Sequence, residues 1–307
     1  FFTDGGTGQG SSTFFLITAK DSMNNGQPMN RFGQIYGRQF YRSCGELPGT
    51  LPGECGGVGS GKSFQVNDKG YVVWVGPGND YTQGITKNLW QTFLPAAQSP
   101  WGPKVPLFFG MPIVDRPLGG QPNAGIGYNK IIGNVFPDFR MTYSNNLTYK
   151  RLTFYGLLDA TIGQSIYNQG EQWGLLDLSS ANFDQRDNTV QTAKPIGYGW
   201  RAGPSESTGV GGFYDTLNPN AYNVEDGSFA KVRELSVTYN LGKMKWLGES
   251  TVGFVGRNIY TFTNYTGLDP EVGAGGGSGS TSSLVNSTDA FGFPNLRNYT
   301  LRFSTRF

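Results

Sequence analysis

The last ten residues of the chain, 298–307, alternate polar and mostly apolar side chains and end on an aromatic residue. A period of two places alternate side chains on opposite faces of a β-strand, and about ten residues is the length of a tilted strand that crosses a bilayer. One face, which we expect to meet lipid, carries four large apolar side chains: Tyr299, Leu301, Phe303 and Phe307. The segment therefore predicts a strand of an outer-membrane β-barrel. The alternative is an amphipathic edge strand of a soluble sandwich.

The composition is typical of a chain made of strands and long loops. Of its 307 residues, 47 are glycine, 14% are aromatic and only 15% are charged, which is unlike a helical protein. No apolar run approaches the roughly 18 residues of a transmembrane helix, but membrane barrels distribute their signal over short alternating segments. The net charge of +2 and the scattered Lys and Arg residues give no reason to expect a nucleic-acid partner.

The chain contains no histidine and two cysteines. Without histidine, His-based triads, His metal sites and Cys–His nucleophile pairs are excluded, and no other nucleophile and base can be paired. We therefore expect no enzyme activity, no cofactor and no metal. Cys44 and Cys55 lie in Gly- and Pro-rich sequence, at a spacing that suits a disulfide closing a loop in an oxidising compartment. Two free thiols are the alternative.

Five more segments alternate in a similar way and predict strands: 11–20, 139–149, 152–162, 235–241 and 251–263. The pair 150–151 is short enough to join the second and third of these in a hairpin. Gly256 and Asn258 interrupt the last of them and predict a bulge. Further strands could lie within 31–41 and 71–75.

Three long segments rich in Gly, Pro, Asn and Ser separate the predicted strands: 21–135, 169–228 and 264–295. Compact soluble domains rarely contain loops of this length, whereas outer-membrane barrels combine short periplasmic turns with long extracellular loops. If the last residue lies at the periplasmic side, alternating strand directions place all three segments outside the cell. The strands number fewer than the eight of the smallest membrane barrels. We therefore expect 1–307 to be the carboxy-terminal part of one larger barrel domain, which upstream strands or another chain would close.

Four ordered blocks of the sequence resemble SusC/RagA-type TonB-dependent transporters. In residues 224–241 an acidic-Gly-Ser-Phe element precedes a strand, and residues 256–272 are similar to the family's N-L-F-T-F-T-x-Y-x-G-x-D-P-E stretch. Residues 132–139 are similar to the I-G-N-x-x-P-D-F motif that precedes a hairpin in the family, and residues 164–168 are similar to G-x-x-I-Y-N. The resemblance covers roughly 130–307 well and 11–41 loosely. The aromatic residue at the carboxy-terminus strengthens the resemblance.

The resemblance implies a barrel of about 22 strands with an amino-terminal plug. Such a protein imports oligosaccharides or peptides across the bacterial outer membrane, together with a SusD-like surface lipoprotein and the TonB complex. Neither a plug nor a TonB box is recognisable in this chain, and in the family both would lie upstream. The segment 66–70 is too poor in carboxylates for the family's calcium loop. The alternative function is a structural or adhesive outer-membrane surface protein without transport.

Two groups of residues are candidates for contact with a solute. Four arginines are expected to face the lumen, where they could tune the passage of anions or pair with Glu234, Asp159 or the plug: Arg140, Arg233, Arg302 and Arg306. Four tryptophans in the long segments could stack on sugar rings or simply pack the loops: Trp74, Trp90, Trp101 and Trp173. Asp269 and Glu271 flank a proline and could coordinate a cation or a substrate hydroxyl, although a turn is the ordinary role of Asp before Pro.

Overall fold

Strands make up most of the regular structure in the computed structural model of the chain. The model describes residues 14–15, 34–102, 105–120, 129–177, 179–181, 184, 186–193, 220–271, 288–289 and 292–306. The strands are β1 (Phe14–Phe15), β2 (Gln34–Arg38), β3 (Cys55–Gly56), β4 (Phe64–Val66), β5 (Val72–Trp74), β6 (Phe93–Leu94), β7 (Leu107–Phe108), β8 (Met111–Pro112), β9 (Asn129–Asn134), β10 (Phe139–Tyr149), β11 (Leu152–Ile162), β12 (Ser165–Asn168), β13 (Val224–Asp226), β14 (Phe229–Met244), β15 (Gly248–Thr263), β16 (Thr288–Asp289) and β17 (Asn298–Arg306).

The helices are few and short. They are α1 (Lys87–Gln91), α2 (Gln169–Leu176) and 3-10 turns at Cys44–Glu46, Leu51–Glu54, Ala96–Gln98 and Ala221–Asn223. Within the described ranges, none of the helices has the length and apolar character needed to cross a membrane. The chain divides into two units: unit 1 covers Phe1–Gly133 and Asn168–Val224, and unit 2 covers Asn134–Tyr167 and Glu225–Phe307.

Unit 2 contains a five-stranded antiparallel sheet in the order β10-β11-β14-β15-β17. Its strands are 9 to 16 residues long and rich in the Thr, Tyr, Phe and Val side chains that favour strands. The two-residue turn at 150–151 joins β10 to β11, and Lys150 adopts a left-handed conformation there, with φ 54°. The five predicted strands after residue 135 are confirmed, and β14 begins six residues before the alternation at 235–241. The predicted bulge is confirmed at Asn258, with φ 51°.

The two faces of this sheet differ sharply in polarity. One cross-strand row consists of Leu147, Phe154, Val237, Phe254 and Leu301, and each of these side chains is 36–78% exposed. We call this the apolar face. The neighbouring row, on the opposite polar face, consists of Thr148, Thr153, Thr238, Gly253 and Arg302. A sheet that exposes its large apolar side chains is built to be covered by something apolar.

Unit 1 is organised around a separate hydrophobic core. The small sheet β3-β4-β5-β8 packs Phe64 against the indole of Trp101, with ring centroids 5.9 Å apart and the rings nearly perpendicular. Strands β2 and β5 fall inside the segments 31–41 and 71–75, where the sequence left room for further strands. At 5 and 3 residues they are shorter than the nine or so residues of a spanning strand. They are therefore too short to cross a bilayer. The remaining small sheets are β1-β2-β9, β13-β12-β16 and β6-β7.

A disulfide joins Cys44 to Cys55 in unit 1, and this prediction is confirmed. It connects the first 3-10 turn to the start of β3 and closes a loop with a sequence separation of 11. Closing a loop of that size restricts the unfolded chain. The bridge therefore stabilises the part of unit 1 in which the chain contains little regular structure.

Replacing Cys44 and Cys55 together by Ser is expected to lower the free energy of opening of unit 1 by about 3 kcal/mol, because the unfolded loop regains its entropy. Native-state hydrogen exchange at the amides of β4 and β5 measures this change. Adding a reductant to the wild type should reproduce the loss and should leave the double variant unaffected. Equal exchange rates in the oxidised wild type and the variant would contradict the prediction.

Candidate functional site

A cluster of buried and partly buried ion pairs lies on the polar face of the sheet in unit 2. Lys231 on β14 is 2% exposed, and its ammonium Nζ donates to Asp269 Oδ1 at 3.0 Å and Oδ2 at 3.2 Å. The same ammonium also donates to the carboxylate of Glu271. Because a buried charge is tolerated only when it is paired, Lys231 fixes the Asp-Pro-Glu segment against the sheet.

Arg233 provides the second cation of the cluster. Its guanidinium donates to Asp159 Oδ2 from Nη2 at 2.7 Å and from Nε at 3.1 Å. From Nη1 it donates to Glu271 Oε2 at 2.7 Å. The fork geometry of a guanidinium suits such paired contacts with carboxylates. Asp159 on β11, Lys231, Arg233, Asp269 and Glu271 together form what we call the ion-pair cluster.

Backbone and amide groups complete the hydrogen bonding of the two loop carboxylates. The backbone N–H of Glu271 donates to Asp269 Oδ1 at 3.1 Å, which is the turn expected of an Asp before Pro. Asn295 donates from its backbone to Asp269 Oδ2 and from its side chain to Glu271 Oε2, both at 3.1 Å. The carboxylates are therefore occupied by cations and amides of the chain itself. Among the described residues, no group of three or more His, Cys, Asp or Glu side chains is arranged to hold a metal ion.

The loop that follows β15 is held at a second point. Glu225 accepts hydrogen bonds from the backbone N–H and the hydroxyl of Thr266, both at 2.8 Å. Tyr265 donates its hydroxyl to Asp289 Oδ2 at 2.7 Å. Burial, followed by that hydrogen bond, raises the pKa of Tyr265, so the phenol remains a donor. The acidic-Gly-Ser-Phe block and the Asp-Pro-Glu block are thus in direct contact.

The ion-pair cluster also sets the ionisation of Glu271, which lies beyond the end of β15. Burial raises the pKa of this carboxyl, but hydrogen bonds from Arg233 and Lys231 outweigh burial and lower the pKa to about 2. The folded protein therefore holds Glu271 in its charged form more strongly than the unfolded chain does.

Acid is expected to weaken the attachment of the Asp-Pro-Glu loop. Because the pKa of Glu271 falls from 4.5 to about 2 on folding, its contribution is complete above pH 4.5 and is lost as the pH falls towards 2. The thermal midpoint of the native protein, followed across that range, measures the loss. The variant Glu271→Gln should lose much of the pH dependence in this window, whereas the exposed control Glu54→Gln should retain it. An identical pH profile for Glu271→Gln and the wild type would contradict this assignment.

The predicted lumen-facing arginines share one face of the sheet. Arg140, Arg302 and Arg306 pair across the strands with Thr161, Gly253 and Glu249 respectively, all on the polar face. Arg233 lies on this face as well, because it contacts Asp159. Of the two carboxylates considered as partners, Asp159 is the one that pairs with Arg233, and Glu234 instead accepts from Arg257 Nε at 2.9 Å. That the polar face borders a lumen stays a prediction.

The other predicted positions are distributed over both units. Tyr299, Leu301 and Phe303 are exposed on the apolar face, while Phe307 lies outside the described residues. Trp74 and Trp101 are 4% and 0% exposed. They are core side chains of unit 1, so neither offers its ring to a sugar. Trp90 on α1 and Trp173 on α2 are partly buried. Ligand contact at these two positions stays a prediction.

Sequence reasoning missed Lys231, the most deeply buried member of the ion-pair cluster. Counting back by twos from Leu235 and Val237 places Lys231 on the apolar face, where a lysine would meet lipid. The register of β14 shifts between Val232 and Glu234, and this bulge returns Lys231 to the polar face opposite Asp159. The break in the alternation of polar and apolar residues at 231–234 was the sequence feature that could have indicated this bulge.

Comparisons with known proteins identify two curated relatives, both from Formosa agariphila. TonB-dependent receptor P3 is 28% identical over 197 residues, which is 62% of this chain. TonB-dependent receptor P26 is 26% identical over 182 residues, which is 58% of this chain. The aligned segment covers 18% of each relative, so the chain spans only a small part of their length. The resemblance carried by the four sequence blocks is confirmed by these relatives.

No protein-family model matches the chain. Among solved structures, the RagAB peptide importer in the open-open state has a TM-score of 0.42 at 17% identity, covering 64% of this chain and 21% of that one. A second structure, of the RagAB peptide transporter, has a TM-score of 0.42 at 13% identity, covering 89% and 22% of the two chains.

Proposed function

We propose that the chain is part of a TonB-dependent outer-membrane transporter of the SusC/RagA type, in which the five-stranded sheet of unit 2 forms part of the barrel wall. The observation that carries this proposal is the exposed apolar face, which is continuous over five strands and lies opposite a polar face. Lipid is the solvent that such a face fits, and a polar inner wall is what large barrels present to their lumen. The two curated relatives support the same family.

The proposed wall is larger than the described sheet. In the described part of the chain, β10 and β17 each pair with a strand on one side only. An unpaired strand edge in hydrocarbon costs several kcal/mol for each open amide or carbonyl. Additional strands, from upstream in the same polypeptide or from another chain, therefore complete the barrel, and the family resemblance implies about 22 strands in total.

In the proposed orientation, Asp159, Lys231 and the four arginines face the lumen, and the segments 21–135, 169–228 and 264–295 lie outside the cell. Asp269 and Glu271 reach the ion-pair cluster from the last of these segments. The transporter imports oligosaccharides or peptides, with a SusD-like lipoprotein covering its outer side and the TonB complex providing energy. Trp90 on α1 and Trp173 on α2 lie in these outer segments, and we propose that their rings contact a sugar. The Asp-Pro-Glu segment has a structural role on this view, because its carboxylates are already paired.

Uptake by intact cells tests the proposal. Labelled oligosaccharides and peptides are offered to cells with and without the gene, and to cells whose proton-motive force has been collapsed by an uncoupler. We expect uptake of one class to be lost in both the deletion and the uncoupled cells, while binding to uncoupled cells persists. Binding without uptake in untreated wild-type cells would favour the structural or adhesive alternative.

A further inference from the structure

One end of the sheet in unit 2 is strongly basic. The turns at 150–151 and 245–247 lie at this end, and the backbone N–H of Asn240 on β14 donates to Arg151 O of the other turn at 2.8 Å. We call residues 150–151, 240–251 and 304–306 the turn end. Its charged side chains are five cations and one carboxylate: Lys150, Arg151, Lys243, Lys245, Arg306 and Glu249.

The cations of the turn end are not neutralised by carboxylates of the sheet. All five are exposed, and within the described ranges none of them takes part in an ion pair of unit 2. Glu249 lies opposite Lys243 on one neighbouring strand and opposite Arg306 on the other, so the one carboxylate is shared between two cations. The turn end therefore keeps a net positive charge.

Aromatic side chains connect the turn end to the apolar face. The row of that face nearest the turns consists of Tyr149, Leu152, Tyr239, Val252 and Phe303. The ammonium of Lys150 lies 5.3 Å from the centroid of the Tyr149 ring. Trp246, in the turn beyond this row, is 85% exposed. Aromatic rings with a polar group are enriched where hydrocarbon meets lipid headgroups.

The opposite end of the sheet has the opposite charge. The segments next to it are 134–138, 163–167, 225–228, 264–271 and 292–297. Together they contain five carboxylates and one cation: Asp138, Glu225, Asp226, Asp269, Glu271 and Arg297. The excess of positive charge therefore belongs to the turn end and not to the sheet as a whole.

We propose that the turn end binds the headgroups of anionic phospholipids, while their acyl chains lie on the apolar face. Phosphate oxygens accept hydrogen bonds from lysine and arginine side chains, and each cation near an anionic membrane surface adds to the attraction. A soluble anion would use the cations but not the apolar row beside them. The inference rests on the proposed function, in which the apolar face lies in a bilayer.

Thermal unfolding of the native protein in a nonionic detergent tests the proposal, with phosphatidylglycerol or phosphatidylcholine added in increasing amounts at low salt. A lipid that binds the folded state raises the Tm in a saturable way. We expect phosphatidylglycerol to act at a concentration at least about tenfold lower than phosphatidylcholine. The difference should disappear in about 1 M salt, where the Debye length is about 3 Å.

The double variant Lys243→Gln and Lys245→Gln should lose most of the preference for phosphatidylglycerol, because two cations are removed. Its Tm without lipid should match that of the wild type, since both side chains are exposed. Lys243→Arg with Lys245→Arg keeps the charges and should keep the preference. The control Lys87→Gln with Arg297→Gln removes two exposed cations of other segments and should also keep it.

The outcomes separate lipid from other ligands. Glycerol 1-phosphate has the charge without acyl chains and should not shift the Tm, so a shift equal to that of phosphatidylglycerol would assign a soluble anion and overturn the proposal. Equal effects of the two lipids on the wild type would overturn it as well, as would an unchanged preference in Lys243→Gln with Lys245→Gln.

Failure of the proposed function would give a different result. If the apolar face did not meet lipid, neither phospholipid would raise the Tm above its value in detergent. Arginine at Val237 and arginine at Ser236 would then cost the same in vesicles. Both proposals would be overturned by that result, whereas equal stabilisation by the two phospholipids would overturn only the headgroup site.

Discussion

Replacing Lys231 by Met is expected to lower the free energy of unfolding of the native protein by about 3–5 kcal/mol. The substitution keeps the length of the side chain but removes the ammonium that compensates Asp269 and Glu271. Arg233 cannot replace it, because its guanidinium already pairs with Asp159 and Glu271. Asp269, which is 5% exposed, would then lie in a buried setting without its cation. Denaturant unfolding in detergent measures the change.

The matched control for this prediction is Lys245→Met. Lys245 lies exposed in the turn between β14 and β15, so its loss should change the free energy of unfolding by less than about 0.5 kcal/mol. The combined variant Lys231→Met and Asp269→Asn should recover part of the loss, because it also removes the carboxylate that Lys231→Met leaves unpaired. If Lys231→Met alone cost less than about 1 kcal/mol, the cluster would be solvated and could not be what anchors the Asp-Pro-Glu segment.

A charge placed on the apolar face of the sheet is expected to destabilise the protein strongly in a bilayer. Val237 lies in the central strand and is 36% exposed, within the row of apolar side chains that we propose to face lipid. Arginine on the lipid face near mid-depth costs about 2–4 kcal/mol. Folding of Val237→Arg into lipid vesicles, followed against urea, measures this cost.

Ser236→Arg is the control, since it places the same side chain one residue earlier on the polar face. We expect Ser236→Arg to be tolerated in lipid with a cost well below that of Val237→Arg. Equal costs at the two positions would show that the sheet does not separate lipid from a polar interior. A larger cost at Ser236 would reverse the assignment of the faces.

The alternation of side chains was sufficient to predict the five long strands and, outside the bulge in β14, which of their side chains share a face. Strand β17 shows this most clearly, because its period of two leaves one possible set of outward side chains, and the structure exposes Leu301 and Phe303 as expected. The disulfide was also predictable, since Cys44 and Cys55 are the only cysteines in the chain. The strands depend on residues that are neighbours along the chain, and the disulfide has only one possible pair of cysteines.

The ion-pair cluster could be predicted only in part. Arg233 and Asp159 were named as possible partners, and the Asp-Pro-Glu turn was expected. The position of Lys231 was not predicted, because a bulge between Val232 and Glu234 moves the residues before it to the opposite face from the one that strict alternation gives. A single extra residue in a strand exchanges the two faces for all residues on one side of that extra residue. The sequence does not show which residue is the extra one that the partner strand leaves unpaired.

Sequence by itself determined the strand periods and the short turns of this protein, because each follows from the steric rules of a few consecutive residues. It also determined the disulfide, because the chain has only two cysteines. Tertiary structure alone decided what lies next to what. Trp101 became a core residue by packing against Phe64, and Asp269 came to lie against Lys231 through the loop that follows β15. Such contacts join segments far apart in the chain, and the burial that controls their charges and hydrogen bonds exists only once those segments have packed together.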